Sequence, residues 1–253
     1  MDMKKNIEKK GSMLSSKKQY GIQDLRASLF DKSKGSTLDK INSFTKYAGR
    51  QNIAKLVAQY EMLMMTKNVL GNIIEGGIFH GSGLLGWANL AVSLEPYNYQ
   101  CKIIGFDTFT GSTGITSKDQ TLSNIKRREK EYNANNYNDI LKTIEIFDLD
   151  RPLNHIKKIE VIKGDISKTI PLYIKKNKQL TVRILHLGMN LYKPTYHSLK
   201  NLIPRMSKGS IIAIDGLNHA TPGCLDALRE NLELSKIKLK TFDYYPNFSY
   251  FII

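Results

Sequence analysis

One stretch of this chain constrains its fold more than any other: NIIEGGIFHGSGLLGWANL, from Asn72 to Leu90. A short apolar run ends on an acid, Glu75, and gives way to Gly76, Gly77, Gly81, Gly83 and Gly86. Ser82 then opens a segment in which Leu84, Leu85, Trp87, Leu90 and Ala91 recur at helical spacing. Strand, glycine turn, helix is how an α/β sheet lets its backbone approach a nucleotide-like ligand. Glycine permits that approach because it has no Cβ.

The glycines admit two readings. Gly81-Ser82-Gly83-Leu84-Leu85-Gly86 is literally G-x-G-x-x-G, the dinucleotide fingerprint. Asp107 stands 21 residues beyond Gly86 at the end of the next apolar run, where an NAD protein keeps its ribose-binding acid. The other reading anchors on Glu75-x-Gly77, as in class I methyltransferases that bind S-adenosylmethionine (SAM). There the acid ends the first strand and glycines fill the turn. The second fits better. The fingerprint's first glycine follows its strand at once, whereas here Gly76 and Gly77 have already broken the strand.

The pattern then continues as βα units. The apolar runs Lys102–Phe106, Ile159–Ile162, Val182–Leu187 and Ser210–Ile214 read as further strands. Helices are predicted from Pro194 to about Leu202 and from Pro222 to about Leu234, with proline in the favoured first turn. Lys236–Asp243 and Phe248–Ile253 read as a closing pair around Tyr245-Pro246-Asn247. Before the sheet, Thr37–Val69 is helical in pattern, with Ile53, Leu56, Val57, Tyr60, Leu63 and Met64 on one face predicted to be core. Residues 1–36 are polar and rich in Lys and Ser, read as a basic flexible arm. Residues 37–253 then form one domain with an inserted lid at about 112–150, its charged part 121–149 predicted helical. The expected class is α/β: a mostly parallel, Rossmann-like sheet with an antiparallel last strand and an N-terminal helical extension.

Size and composition agree. The chain has 253 residues and 41% hydrophobic content, enough for one α/β core with an extension. The formal net charge of +15 raises the question of nucleic acid. The lysines are dispersed, and no interleaved basic-aromatic motif accompanies them, which argues against it. Cys101 and Cys224 belong to no C-x-x-C or histidine pair, so neither a zinc signature nor a disulfide framework is present. The first residues lack the apolar core of a secretory signal, and no run approaches the roughly 20 apolar residues of a membrane span. A cytoplasmic location is the default expectation. A homo-oligomer is left open.

Ligands of such sheets lie beyond the C-terminal ends of the strands. Here those ends read Glu75-Gly76-Gly77, Asp107-Thr108-Phe109, Lys163-Gly164-Asp165, Gly188-Met189-Asn190-Leu191-Tyr192 and Asp215-Gly216-Leu217-Asn218-His219. Each acid or amide taken alone is also what a turn or helix cap uses. Four carboxylates on one rim are harder to explain as caps.

Several blocks resemble the macrocin O-methyltransferase-like (TylF-like) family of sugar methyltransferases. They are IIEGGIFHGSGLLGWANL, IIGFDTFTG, VIKGDISKTIP and ILHLGMNLYKPTYHSLKNLIPRMSKGSIIAIDGLNHATPG, spanning roughly Phe44 to Leu228. The resemblance implies a SAM-dependent O-methyltransferase acting on a sugar or glycoside hydroxyl. It implies that Glu75 and Gly77 line the amino-acid end of SAM and that Asp107 accepts from the ribose hydroxyls. Asp165 would face the adenine with Ile166 beside it. Gly76, Gly81, Ser82 and Thr108 complete the implied cofactor set.

The chain departs from the family where a metal would sit. The family usually reads Leu-Asp-x-Asp-Leu-Tyr after the fourth strand, and this chain reads Leu187-Gly188-Met189-Asn190-Leu191-Tyr192. The family usually has Asp-Asp after the fifth, and this chain has Asp215-Gly216. Those acids hold a divalent cation, typically magnesium, and hard cations want several anionic oxygens. Asp215 and Asn190 are what remain as candidate ligands. Three alternatives stay open: catalysis without metal, metal held by other residues, or SAM binding without catalysis in a partner protein. If the chain catalyses, Asp215 and His219 are the candidate bases for the acceptor proton. His80 is expected to shape the SAM pocket, and His186 to be core.

Overall fold

The computed structural model describes residues 21–120, 128–217 and 222–253, in two units, Met1–Ile53 and Ala54–Ile253. His219, one of the two candidate bases, lies outside the described residues. Among the described residues of the first unit are two helices, α1 (Ile22–Lys32) and α2 (Thr37–Asn42). Ser36 starts α2 with a capping box: its side chain accepts from Asp39 N, and the Asp39 carboxylate accepts from Ser36 N at 2.8 Å. Helix α1, which has no buried residues, falls inside the stretch read as a flexible arm.

Helix α3 spans Arg50–Met65 and leads to the sheet. Its buried residues are Ala54, Ala58, Gln59, Met62 and Leu63. The predicted stripe is therefore partly wrong: Val57, Tyr60 and Met64 are exposed. The reason is close packing. The helix turns its small side chains inward, and Gln59 reaches across to donate to Gly83 O at 3.0 Å.

Among the described residues seven strands form one sheet in the order β3-β2-β1-β4-β5-β7-β6. They are β1 (Asn72–Gly76), β2 (Ile103–Asp107), β3 (Ile159–Lys163), β4 (Val182–Leu187), β5 (Met206–Asp215), β6 (Lys240–Phe242) and β7 (Tyr245–Ile252). β3, β2, β1, β4 and β5 run parallel, and β7 pairs antiparallel to β5 with Asp215 opposite Phe248. This is the predicted class, and a closing antiparallel pair is present, but its turn falls at Asp243-Tyr244: Tyr245-Pro246-Asn247, expected to form the turn, instead starts β7, with Tyr245 opposite Phe242.

Alternate residues of each strand feed opposite faces, as period-two geometry requires. Ile73, Ile103, Ile159, Ile184 and Ile211 pack with α3, α4 (Ser82–Leu94) and α5 (Tyr137–Leu149). Ile74, Ile104, Leu185 and Ile212 pack with α6 (Ile166–Lys176), α7 (Tyr192–Leu202) and α8 (Gly223–Asn231). Each fully buried aliphatic side chain contributes about 1.5–3 kcal/mol. Both faces of the sheet are covered, so only its strand ends are left to build a site.

Helix α6 was not anticipated, because Pro171 interrupts its pattern. Described residues of the insert are tied to the rest of the fold. Ile140 and Ile144 of α5 are buried in the first core. Asp119 is fully buried and accepts from Tyr192 N at 2.6 Å and Thr116 N at 2.7 Å. No helix among the described residues is long and apolar enough to cross a membrane.

Candidate active site

A cavity of about 310 Å³ opens at the C-terminal ends of β1, β2, β4 and β5. Glu75, Asp107, Asp165 and Asp215 all line it, so the four carboxylates of the rim do converge. Gly77, Ser82, Thr108, Ile166, Gly188 and Asn190 line it as well, whereas Gly76, Gly81 and His80 do not. His80 is exposed, its ring edge-on to Phe79 at 4.2 Å. Tyr132 and Ser112–Thr113 form part of the wall from the insert.

The glycine turn shows why the sequence is built this way. Gly77 holds φ +87°, and a Cβ there would stand 3.1 Å from the Gly188 carbonyl carbon. Two strand ends thus come together over the cavity floor. At Gly83 a Cβ would collide with the Glu75 carboxylate. That carboxylate lies against the first turn of α4, where unpaired N–H groups favour negative charge. Of the glycines of G-x-G-x-x-G, Gly83 makes room for the acid of strand one, Gly81 for Ile140 and Gly86 for Gln59.

Each acid has a measurable commitment. Asp107 Oδ2 accepts from Ile78 N at 2.7 Å and Phe79 N at 3.0 Å, and Oδ1 from Phe109 N at 2.7 Å. With about four lone-pair sites per carboxylate, one remains, on Oδ1. A contact to both ribose hydroxyls at once is thus narrowed to one. Asp165 caps α6, accepting at Oδ1 from Ser167 N at 2.9 Å and Ser167 Oγ at 2.7 Å. It is a cap and a cavity wall together. Thr108 Oγ1 donates to Gly111 O at 2.8 Å, which shapes the loop after β2.

His186 is the residue whose importance the sequence concealed. It is buried in β4 as expected, yet it is more than core. Nε2 lies 3.0 Å from Asp215 Oδ1 and Nδ1 lies 3.3 Å from Glu75 Oε1. Trp87 Nε1 stands farther, 3.5 Å from the same Nδ1. Burial opposes the charged imidazole, but Asp215 and Glu75 outweigh it and push its pKa up to about 9. The cluster is one cation between two carboxylates. Glu75 Oε2 is buried and has no hydrogen-bond partner. Lys55 is the one basic side chain on the described wall, on a helix face that periodicity alone did not connect to the site.

The described residues do not fit a resident divalent cation. Asp215 Oδ1 is engaged by His186, and Gly188 and Gly216 offer no side-chain oxygen. Asn190 contributes only a neutral amide oxygen. Among the described residues no cluster of three or more His, Cys, Asp or Glu is placed to hold a metal.

The cavity can be set beside known proteins. No curated protein sequence matches the chain. Two structures of CalS11 superpose on nearly all of it. One, described as a calicheamicin methyltransferase, has 26% identity and a TM-score of 0.88, covering 94% of this chain and 93% of that one. The other, the apo form described as a TDP-rhamnose 3'-O-methyltransferase, has 25% identity and a TM-score of 0.80, covering 94% and 95%. The O-methyltransferase NovP shares the fold at 18% identity and a TM-score of 0.55, over 79% of each chain. A sequence model of the family described as macrocin-O-methyltransferase (TylF) matches residues 2–245, and the chain belongs to that family.

Proposed function

We infer that this chain is a SAM-dependent O-methyltransferase that methylates a hydroxyl of a sugar or glycoside. One observation carries the cofactor assignment: Glu75, a residue of the cavity lining, has a buried Oε2 without a hydrogen-bond partner. A buried carboxylate oxygen without a donor is costly, and an ammonium group supplies one. Asp107, Asp165 and Ile166 line the same cavity where the ribose and adenine ends would lie. When bound, SAM supplies an electrophilic methyl on a sulfonium that carries its own leaving group. The protein's task is then alignment, exclusion of water and removal of the acceptor proton. Asp215 is the base that the described residues offer.

The insert at about 112–150 acts in this reading as a lid over the acceptor side, with Tyr132 and Ser112–Thr113 already on the cavity wall. Hydrogen exchange at its described residues should slow when cofactor product and acceptor bind. Equal protection in the free and bound protein would mean a static packing role.

The likeness to CalS11 makes nucleotide-linked deoxysugars, TDP-rhamnose among them, the first acceptors to try. The test is calorimetry with SAM, S-adenosylhomocysteine (SAH) and NAD, followed by methyl transfer to a panel of sugar acceptors. Binding of SAM or SAH with turnover on a sugar hydroxyl is the expected result. Tight NAD binding without SAH binding would overturn it.

A further inference from the structure

Three adjacent strands end in ionisable groups that touch. β1 brings Glu75, β4 brings His186 beside it in register, and β5 brings Asp215. Glu75 and His186 are each 1% exposed, whereas the Asp215 side chain retains 25% and reaches the cavity. The imidazole cannot swing. Phe248 meets it edge-on at 4.9 Å and Trp87 at 6.1 Å. Both ring nitrogens face carboxylate oxygens. The ring is therefore fixed on one side by Glu75 and in turn fixes Asp215 on the other.

An isolated aspartate turns about two bonds. Here Oδ1 is pinned from below, which aims Oδ2 at the cavity side. A Cβ built on Gly188 would lie 3.3 Å from that Oδ2, and Gly188 lines the cavity. The absence of a side chain at Gly188 leaves Oδ2 open to a ligand.

We propose that His186 is a positioning residue for methyl transfer: it clamps Asp215 through Oδ1 so that Oδ2 is presented to the acceptor hydroxyl as its proton acceptor. This rests on the O-methyltransferase reading above. In the step, the acceptor O–H bond breaks and its proton passes to Asp215 Oδ2. The oxygen's electron pair forms the new bond to the methyl carbon. The carbon–sulfur bond breaks, and its pair returns to the sulfur of SAM, leaving SAH. His186 keeps its protons throughout, and Glu75 keeps the ring in place.

A kinetic double-mutant cycle tests this on the full-length protein. Asp215→Asn should lower kcat by about 10²–10⁴-fold, the range for losing a general base. His186→Leu should lower kcat by roughly 100-fold, as misplacing a reacting group does. His186→Gln, which keeps an N–H near Asp215, should recover part of that loss. The double variant Asp215→Asn/His186→Leu should be no slower than Asp215→Asn alone, because His186 acts only through Asp215. A purely structural histidine would instead give multiplicative losses, and that result overturns the proposal. So does wild-type kcat in Asp215→Asn. Should the His186 variants fail to fold, as judged by SAH binding, ¹⁵N-histidine NMR of wild type against Asp215→Asn decides. The His186 Nε2 resonance is expected to move, and unchanged resonances overturn the clamp. Wild-type turnover on the acceptor panel tests the methyl-transfer reading separately, so the two failures are distinguishable.

Discussion

Strand β4 places a buried cation near each of its ends, Arg183 at the start and His186 towards the finish. At the Arg183 end the two Nη groups lie 3.0 Å from the two oxygens of Glu95, and Asn98 adds a bond to Glu95 Oε2 at 2.8 Å. A second polar cavity opens there, and the two asparagines Asn72 and Asn98 on its wall are engaged by backbone partners. Asn72 bonds Thr181 O and Lys102 N, both at 2.9 Å, and Asn98 Oδ1 accepts from Cys101 N at 3.2 Å. Arg183 Nε is buried there without a partner. At the His186 end one imidazole serves two carboxylates, Glu75 Oε2 is left over, and Asp215 reaches the open. Both clusters gain strength from a low local dielectric. The first closes on itself, and the second keeps acceptor capacity facing a cavity. What separates a structural polar cluster from a functional one here is the lone pairs left unspent.

The largest expected effect breaks the closed end. Arg183→Met should cost about 3–5 kcal/mol of stability, because it strands Glu95 as an uncompensated, partly buried carboxylate. The double variant Arg183→Met/Glu95→Gln should recover much of the loss. SAH affinity of the folded protein should not change in either. Urea unfolding of wild type, single and double variants measures this. Equal losses in single and double would mean that guanidinium packing matters and charge pairing does not.

The same contrast marks what the sequence could reveal. Strand ends were legible because apolar runs stopping on Glu75, Asp107 and Asp215 are local patterns, and those acids do share one cavity. The Arg183–Glu95 pair and the His186 cluster were not, because each joins elements far apart in the chain. Register between β1, β4 and β5 puts Glu75 and Asp215 on either side of His186, and no spacing rule encodes register between non-consecutive strands. The buried face of α3 was misread for a related reason. Periodicity counts large apolar residues, whereas Ala54 and Ala58 were chosen by the need for close approach.

At the open end, Asp107→Ala should weaken SAH binding by roughly 1.5–3 kcal/mol, ten- to a hundredfold. Part of this comes from releasing Ile78 and Phe79, whose N–H groups the carboxylate holds. Calorimetry reads the change, and undiminished affinity would remove Asp107 from the cofactor site. A smaller effect concerns metal. Wild-type turnover should be insensitive to EDTA. Gly188→Asp with Asn190→Asp should create measurable Mn²⁺ or Mg²⁺ binding by adding two acids, the one at 188 built beside Asp215 Oδ2. Complete loss of wild-type turnover in EDTA, restored by magnesium, would show that the open end depends on a cation after all.

The smallest effect separates the two ends by pH. Burial pushes the Glu95 carboxyl upward, but hydrogen bonds from Arg183 and Asn98 win, so its pKa in the folded protein lies below the ordinary 4.5. A carboxyl lowered by folding stabilises the native state above its unfolded pKa, and that contribution is lost as pH falls through the folded value. Stability should therefore decline on the acid side of about pH 4.5, with Glu95 contributing to the slope. Glu95→Gln removes the titrating group, so its stability should fall less steeply over that window, although it starts lower at neutral pH. Urea midpoints measured from pH 7 downward give both curves. Parallel curves would mean that the closed end does not contribute to acid lability.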